Sequence, residues 1–176
     1  MTKTVLLTGA SGYIAKHVAL RLLEDGFHVR GTVRNLARGE EVTKAVQPHL
    51  SDDADLANRL TYVTLDLTSD DGWDDAMVGV DVVMHTASPF PLAQPKNEDD
   101  LIRPAVDGAR RALRAAHKAG ISRVILTSST AAISGSALPA GDTAFDETNW
   151  TDPNDPDATA YVRSKTLAEQ AAWDFV

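Results

Sequence analysis

A tyrosine and a lysine stand four residues apart in the segment YVRSK, as Tyr161 and Lys165. In a helix this spacing places the two side chains on one face. A free phenol is a poor acid–base group near neutral pH, but an ammonium about 4 Å away at an effective dielectric constant of about 20 stabilises the phenolate by about 4 kcal/mol. The pair could therefore give a proton to a carbonyl oxygen while a hydride reaches the carbonyl carbon, with Tyr161 as the donor.

A third candidate is Ser129, which closes the apolar segment ILTSS. This segment is typical of a strand in a parallel sheet, and such sheets bind ligands at the carboxyl ends of their strands. The Ser129 hydroxyl could hold the substrate oxygen beside the phenol. Each feature is common by itself, since Tyr-x-x-x-Lys arises by chance and serines often end strands as turn residues. The prediction of a catalytic triad depends on finding them together with a cofactor site.

The segment TGASGYIA, residues 8–15, follows the apolar run Val5-Leu6-Leu7 near the start of the chain. Gly9 and Gly12 leave room for the backbone to approach a pyrophosphate, and Ala15 lets the following helix pack close to the sheet. The first N–H groups of that helix would face the phosphates. A tight turn without a ligand is the alternative, so the motif predicts cofactor binding only in combination with other features.

The residues that end the predicted second strand indicate which dinucleotide binds. A fold that takes NAD places an acidic residue there to accept a hydrogen bond from the ribose, whereas NADP needs a cation for its extra phosphate. Here the strand ends GTVRN, which offers Arg34 and no carboxylate. Arg38, one helical turn later, could add a second contact. The pattern favours NADP, the alternative being an exposed arginine at a strand end.

Five predicted strands alternate with helices and must position these residues. The strands are expected at 4–8, 27–33, 60–67, 81–87 and 123–129, and the helices at about 14–25, 37–47, 71–78, 101–118 and 159–175. This alternation predicts an α/β fold with a doubly wound parallel sheet of the Rossmann type, as one NADP-binding domain over residues 1–176 that carries the triad. The long polar loop 135–157 is expected to lie over a site.

Composition excludes several classes of function. The chain has 25 acidic and 17 basic residues and no basic run, so nucleic-acid binding is not expected. No stretch approaches the roughly 20 apolar residues of a membrane span, and the N-terminal apolar run is too short for a signal peptide. Cysteine is absent and the histidines share no ligand spacing, so we expect no metal and take the cytoplasm as the compartment. His85 is interpreted as packing beside the cofactor region rather than as a base.

The motifs together resemble one branch of a known family. The segments TGASGYIA, GTVRN, LDLTS, HTASPF, LTSST and YVRSKTLAEQAAW look like those of the dihydroflavonol 4-reductase and cinnamoyl-CoA reductase branch of the extended short-chain dehydrogenase/reductases. That branch also contains microbial aldehyde and ketone reductases. The resemblance implies an NADPH-dependent reductase of a small carbonyl compound with a Ser129, Tyr161 and Lys165 triad, and it allows a homodimer.

The same resemblance assigns residues to the cofactor position by position. Asp66 and Leu67 would border the adenine, and Thr86 and Ala87 would line the cofactor beyond the fourth strand. The residues predicted to contact NADP(H), from the motifs and the resemblance together, are Thr8, Gly9, Ser11, Gly12, Tyr13, Ile14, Arg34, Arg38, Asp66, Leu67, Thr86, Ala87, Ser88, Thr127, Tyr161 and Lys165.

The chain departs from the branch at three points. Ala15 replaces the third glycine of the turn, which mildly changes helix packing. Ser134 stands where plant dihydroflavonol reductases have an asparagine that contacts the flavonoid, so a flavonoid substrate does not carry over. Family members are much longer, and this sequence stops eleven residues after Lys165. We therefore expect the C-terminal strands and the substrate domain to be missing from this chain.

Two other functions stay open at this point. An NAD-dependent nucleotide-sugar epimerase or dehydratase of the same superfamily also uses a tyrosine and a lysine, and it would retain NAD and bind sugar nucleotides. A non-enzymatic NADP-sensing module would bind the cofactor without turnover. Related sensor proteins generally lose the Tyr–Lys pair, whereas this sequence keeps it.

Overall fold

The computed structural model describes residues 2–52, 54–90, 93, 95–138, 140–141 and 143–176. Its strands are β1 (Thr4–Thr8), β2 (His28–Val33), β3 (Leu60–Thr64), β4 (Val82–His85) and β5 (Val124–Leu126). Its α-helices are α1 (Tyr13–Glu24), α2 (Ala37–Val46), α3 (Leu56–Arg59), α4 (Trp73–Met77), α5 (Asp99–Lys118), α6 (Ala131–Ser134) and α7 (Ala160–Trp173), and a 3₁₀ turn covers Gln47–His49.

The strands form one parallel sheet in the order β3-β2-β1-β4-β5. The chain builds outward from β1 to β3 and then returns to the other side of β1 with β4. This reversal leaves a crevice at the carboxyl ends of β1 and β4, which is where open α/β sheets bind ligands. The predicted doubly wound parallel sheet of the Rossmann type is confirmed.

Each face of the sheet buries its own apolar core, because neighbouring residues of a strand point to opposite faces. Leu7 of β1 packs in one core with Leu23 of α1 and Val46 of α2. Leu6 packs in the other core with Trp73 of α4 and the last turns of α5. Both β1 leucines are fully buried. Helix packing on both faces explains why the centre of β1, Val5-Leu6-Leu7, is continuously apolar instead of alternating with polar residues.

The chain divides into two compact units. The first holds Met1–Ala87 and Arg111–Thr127, and it includes the sheet. The second holds Ser88–Arg110 and Ser128–Val176, and it includes α6 and α7. The expectation of a single domain over residues 1–176 stays a prediction. Over the residues that the structure describes, no helix has the length and the apolar character needed to span a bilayer.

Strands β3, β4 and β5 all end earlier than the predicted strands 60–67, 81–87 and 123–129. β3 stops before Asp66, whose carboxylate accepts hydrogen bonds from the Thr68 N–H at 2.8 Å and the Thr68 hydroxyl at 2.6 Å, and so turns the chain. After β5, the Thr127 N–H donates to the His85 carbonyl at 2.9 Å. The chain then bends into α6, a helix of four residues that is too short to give a periodic sequence signal.

In the second unit, the buried Thr151 connects the predicted loop 135–157 to α6 by hydrogen bonds. The Thr151 hydroxyl donates to the Ala131 carbonyl at 2.7 Å and accepts from the Gly135 N–H at 2.7 Å. A Cβ at Gly135 would lie 2.7 Å from a methyl group of Val162, so only glycine fits where the loop approaches α7. Residues 139 and 142 of this loop lie outside the described residues.

Arg163 of α7 also binds the loop, through hydrogen bonds to its backbone carbonyls. Arg163 donates from Nε to the Pro153 carbonyl at 3.0 Å and from Nη2 to the Asp155 carbonyl at 2.9 Å. Its Nη1 also pairs with the Glu98 carboxylate at 2.5 Å. The end of the loop is therefore held against the helix that carries Tyr161.

Candidate active site

The turn after β1 requires glycine at its first position. Gly9 has a φ of 65°, which is left-handed backbone. A Cβ there would lie 3.0 Å from both Cα and Cβ of Ala87. Gly12 closes the turn by donating its N–H to the Gly9 carbonyl at 2.8 Å. The turn after β1 is thus pressed against the segment that follows β4, at the crevice between the two strands.

Helix α1 begins directly after this turn without a side-chain cap. Gly12 is the N-cap residue, and none of the described side chains accepts a hydrogen bond from the N–H groups of the first turn. Tyr13 and Ile14, the first two helical residues, are 81% and 58% exposed. Uncapped N–H groups at the positive end of a helix dipole bind anions such as phosphate. These residues fit the pyrophosphate of a dinucleotide.

Hydroxyl groups join the carboxyl ends of β1 and β4. The Thr8 hydroxyl is hydrogen-bonded to Nδ1 of His85 at 2.9 Å and accepts from the Ala87 N–H at 3.0 Å. In return, the Thr86 hydroxyl donates to the Thr8 carbonyl at 2.5 Å. Thr8 and Thr86, both predicted to contact the cofactor, thus use their hydroxyls to hold the crevice in shape. His85 is buried, with its ring 6.5 Å from that of Trp73.

The two predicted phosphate-binding arginines have different surroundings. Arg34 follows β2 and is exposed, and no carboxylate of the described residues lies within 4 Å of its guanidinium. Arg38, in contrast, pairs with Glu41 at 3.0 Å. Hydrogen bonds from Thr68, together with weaker contributions from Arg34 and Arg111, lower the pKa of Asp66. Arg34 is therefore the arginine that is available to a ligand at the end of β2.

Other predicted cofactor residues lie near the ends of the strands. Ser11 is half-buried within the glycine turn. The carbonyl of Leu67, next to Asp66, accepts a hydrogen bond from Nη1 of Arg111 at 2.6 Å. Thr127 follows β5 and is exposed, and Ser88 is the half-buried first residue of the second unit.

Tyr161 and Lys165 lie on α7, which begins at a capped N-terminus. The Thr159 hydroxyl accepts from the Val162 N–H at 3.3 Å. The Tyr161 ring is half-buried and meets the ring of Phe90 edge to face, with 5.3 Å between ring centroids. Phe90 is 73% exposed. The phenol therefore stands beside an exposed apolar ring.

Lys165 is an almost buried cation that has no partner among the residues that the structure describes. Only 9% of the residue is exposed, and burial lowers its pKa. Among the described residues, none accepts a hydrogen bond from its ammonium and no carboxylate lies within 4 Å. A buried charge is costly unless it is paired, so this lysine fits a donor to a bound polar group such as the hydroxyls of a ribose.

Ser129 belongs to the same unit and approaches α7 through its neighbour. Its hydroxyl accepts from the Ala131 N–H at 3.2 Å at the start of α6, and α6 packs against α7. The preceding Ser128 donates to the Glu169 carboxylate on α7. The unit thus fastens the Ser129 segment to the helix that carries Tyr161 and Lys165.

Sequence reasoning missed several residues that contact or brace the segments carrying the predicted triad: Phe90, Ser128, Thr151, Arg163 and Glu169. For Glu169 a signal was present, because it continues the spacing of Tyr161 and Lys165 by four more residues. The other four act through contacts between distant parts of the chain, which periodicity does not reveal.

The sheet order, the glycine turn and the uncapped helix define an α/β protein of the Rossmann type. The sequence profile of the NAD dependent epimerase/dehydratase family matches residues 5–176. The chain belongs to this family.

Several known proteins are similar to the chain. A putative anthocyanidin reductase of Ginkgo biloba is 38% identical over 97% of this chain and 50% of its own length. A putative NADPH-dependent methylglyoxal reductase of Candida albicans is 36% identical over 98% of this chain and 53% of its own length. The solved structure of Gre2 with NADPH from Candida albicans has a TM-score of 0.81 at 33% identity, over 98% of this chain and 52% of that chain.

The chain therefore spans about half the length of the curated relatives it matches. A dihydroflavonol 4-reductase of Arabidopsis thaliana, 37% identical over 98% of this chain and 45% of its own length, is among them. The predicted resemblance to the dihydroflavonol reductase and cinnamoyl-CoA reductase branch is confirmed.

Proposed function

We propose that this chain carries the nucleotide-binding and proton-donating residues of an NADPH-dependent reductase that acts on the carbonyl group of an aldehyde or ketone. The observation that carries the proposal is the face of α7, which combines Tyr161 with an almost buried Lys165 whose ammonium has no partner among the described residues. The names of the relatives, which include NADPH-dependent and carbonyl-reducing proteins, support the same assignment.

Each member of the triad has one task in this reaction. When bound, NADPH supplies the hydride for the carbonyl carbon. Tyr161 delivers its hydroxyl proton to the carbonyl oxygen, so the carbonyl becomes an alcohol and the side chain becomes a phenolate. Lys165 stabilises that phenolate by its positive charge and holds the ribose. The Ser129 hydroxyl donates a hydrogen bond to the carbonyl oxygen as negative charge develops on it.

NADPH is proposed as the cofactor because of the arginine that follows β2. Arg34 is exposed, and it stands where an NAD-binding fold would have a carboxylate. The predicted contacts of Asp66, Thr86, Ala87 and the glycine turn with the cofactor are part of the proposal.

The contact between Phe90 and Tyr161 supports a carbonyl substrate with an apolar or aromatic substituent. An exposed ring that meets the phenol edge to face offers apolar surface beside the proton donor. The cytoplasm is our default proposal for the compartment, and the lack of cysteine in this sequence is compatible with its reducing conditions. A homodimer is the assembly that the family resemblance allows.

The first experiment replaces the proton donor and measures binding and turnover separately. Tyr161→Phe should lower the rate of NADPH oxidation with a panel of aldehydes and ketones by about 10²- to 10⁴-fold. Its NADPH dissociation constant, measured by fluorescence titration, should stay within about twofold, because the ring and its contact with Phe90 remain. Turnover at the normal rate in this variant would contradict the assignment.

Two outcomes would instead favour the alternative functions. The matched family profile also describes epimerases and dehydratases that use NAD. If the purified protein retains NAD and binds sugar nucleotides, it is an epimerase or a dehydratase. If it binds NADPH and oxidises it with none of the carbonyl compounds, a sensing module is favoured only when a protein of the relatives' full length gives the same result, because the chain spans about half of that length.

A further inference from the structure

Glu169 continues the functional face of α7 but has no role in the reaction described above. Tyr161, Lys165 and Glu169 follow one another at intervals of four residues. Residues at this spacing lie on one side of a helix. The Glu169 carboxylate therefore lies one helical turn beyond the ammonium, on the same side as the phenol.

The contacts of the carboxylate show which part of the site it serves. One oxygen accepts a hydrogen bond from the Ser128 hydroxyl, and the other accepts from Nε1 of Trp173 at 3.4 Å. The described residues include no ion pair within 4 Å between Glu169 and Lys165. Glu169 thus holds the segment that follows β5 and does not neutralise the lysine.

The segment that Glu169 holds contains the third member of the triad. Ser128 is covalently joined to Ser129, whose own hydroxyl accepts from the Ala131 N–H at 3.2 Å. Residues 128–131 are therefore fixed to α7 at one end and to the start of α6 at the other. A hydrogen bond to a carboxylate is stronger than one between neutral groups, which makes the Ser128 contact the firmer anchor.

We propose that Glu169 is a positioning residue that fixes Ser128 on α7 and thereby sets the place of the Ser129 hydroxyl relative to Tyr161. The inference rests on the proposed function, because it assigns Glu169 to the same reaction. Catalysis depends on such placement, since a shift of about 1 Å can cost about 10²-fold in rate.

The test measures the order of the segment and the reaction as separate quantities. Glu169→Ala should speed hydrogen exchange of the amides in residues 129–134 by at least about tenfold, with little change elsewhere in the chain. Glu169→Gln keeps an acceptor for the Ser128 hydroxyl and should restore exchange to within about threefold of the wild type. Glu24→Ala is the matched control, because that glutamate is exposed at the last position of α1 in the first unit.

Kinetics with NADPH and a carbonyl substrate complete the test. Glu169→Ala should lower kcat by about tenfold or more and leave the NADPH dissociation constant within about twofold, and Glu169→Gln should recover most of the rate. Ser128→Ala should reproduce both effects, and the double variant should add little, because both substitutions break the same contact.

The outcomes separate this inference from the proposed function. Unchanged exchange in Glu169→Ala overturns the inference even if Tyr161→Phe abolishes turnover. Faster exchange with an unchanged kcat also overturns it, because the segment would then move without consequence for the reaction. If Glu169→Ala unfolds as a whole, Ser128→Ala decides by the same two measurements. If the wild type reduces no carbonyl compound, the proposed function fails and the catalytic role of Glu169 fails with it, while the exchange data still test the anchor.

Discussion

The turn after β1 and the face of α7 are held by different kinds of contact. The shape of the turn is set by its backbone. Gly9 adopts a left-handed φ, a Cβ at Gly9 would lie 3.0 Å from Ala87, and the hydrogen bond that closes the turn joins two backbone groups. The segments beside α7 are instead held in place by hydrogen bonds between side chains, such as the one between Ser128 and Glu169. A turn held by backbone tolerates few residue types at fixed positions. A helix face held by pairs of side chains loses a contact when either partner is replaced, so its contacts are tested with single and double variants.

The largest effect is expected where the backbone of the turn has no space for a side chain. Gly9→Ala should lower the free energy of unfolding by about 3 kcal/mol, because it combines a left-handed φ with a contact at 3.0 Å to Ala87. Gly79→Ala is the matched control, since Gly79 has a φ of 71° and nothing within 4 Å of the added Cβ. Gly79→Ala should lower the free energy of unfolding by only about 1 kcal/mol, which is the cost of a left-handed φ for alanine.

Urea unfolding of the two glycine variants separates the two causes. Equal losses would show that the contact with Ala87 costs nothing and that the turn is looser than described. The NADPH affinity should fall only for Gly9→Ala, because only that substitution changes the backbone beside the proposed pyrophosphate site.

The next largest effect is expected at the end of β2, where the Arg34 side chain adds to the proposed cofactor site formed by the glycine turn. Arg34→Met should weaken NADPH binding by about 10- to 100-fold, as expected for lost hydrogen bonds to a charged group. NADH lacks the extra phosphate, so its dissociation constant should not change. Arg38→Met is the control, because Arg38 already pairs with Glu41, and it should lose less than about threefold. An equal loss of NADPH and NADH affinity in Arg34→Met would contradict the phosphate contact.

The turn and the sheet could be predicted because their signals are local. Buried parallel strands give continuous apolar runs, and the left-handed turn demands glycine at a fixed place, so both can be recognised within a few residues. The contact between Ser128 and Glu169 joins residues 41 apart. The sequence placed Tyr161 and Lys165 on their helix, whereas Ser129, predicted to end the fifth strand, lies three residues beyond β5. The contacts that hold these residues depend on how α6 and α7 pack.

A buried cation distinguishes the face of α7 from the turn, and its cost to folding depends on pH. Burial lowers the pKa of Lys165 from its ordinary value of 10.5. Between the lowered folded value and 10.5 the unfolded chain binds more protons than the folded chain, so the free energy of unfolding rises with pH across this window. Below the window, folding bears the whole cost of burying the charge.

Lys165→Met should therefore be more stable than the wild type at pH 7, and the difference should shrink as the pH approaches 10.5. Urea unfolding at several pH values measures this difference, with Lys44→Met as the control because Lys44 is exposed and pairs with Glu40 on the same helix. The control should show no comparable trend with pH. A pH-independent difference, or a loss of stability at pH 7, would show that the ammonium is paired in solution. A gain in stability together with lost turnover would mean that this lysine is kept for its chemistry at a cost to folding, whereas Gly9 serves folding and binding at once.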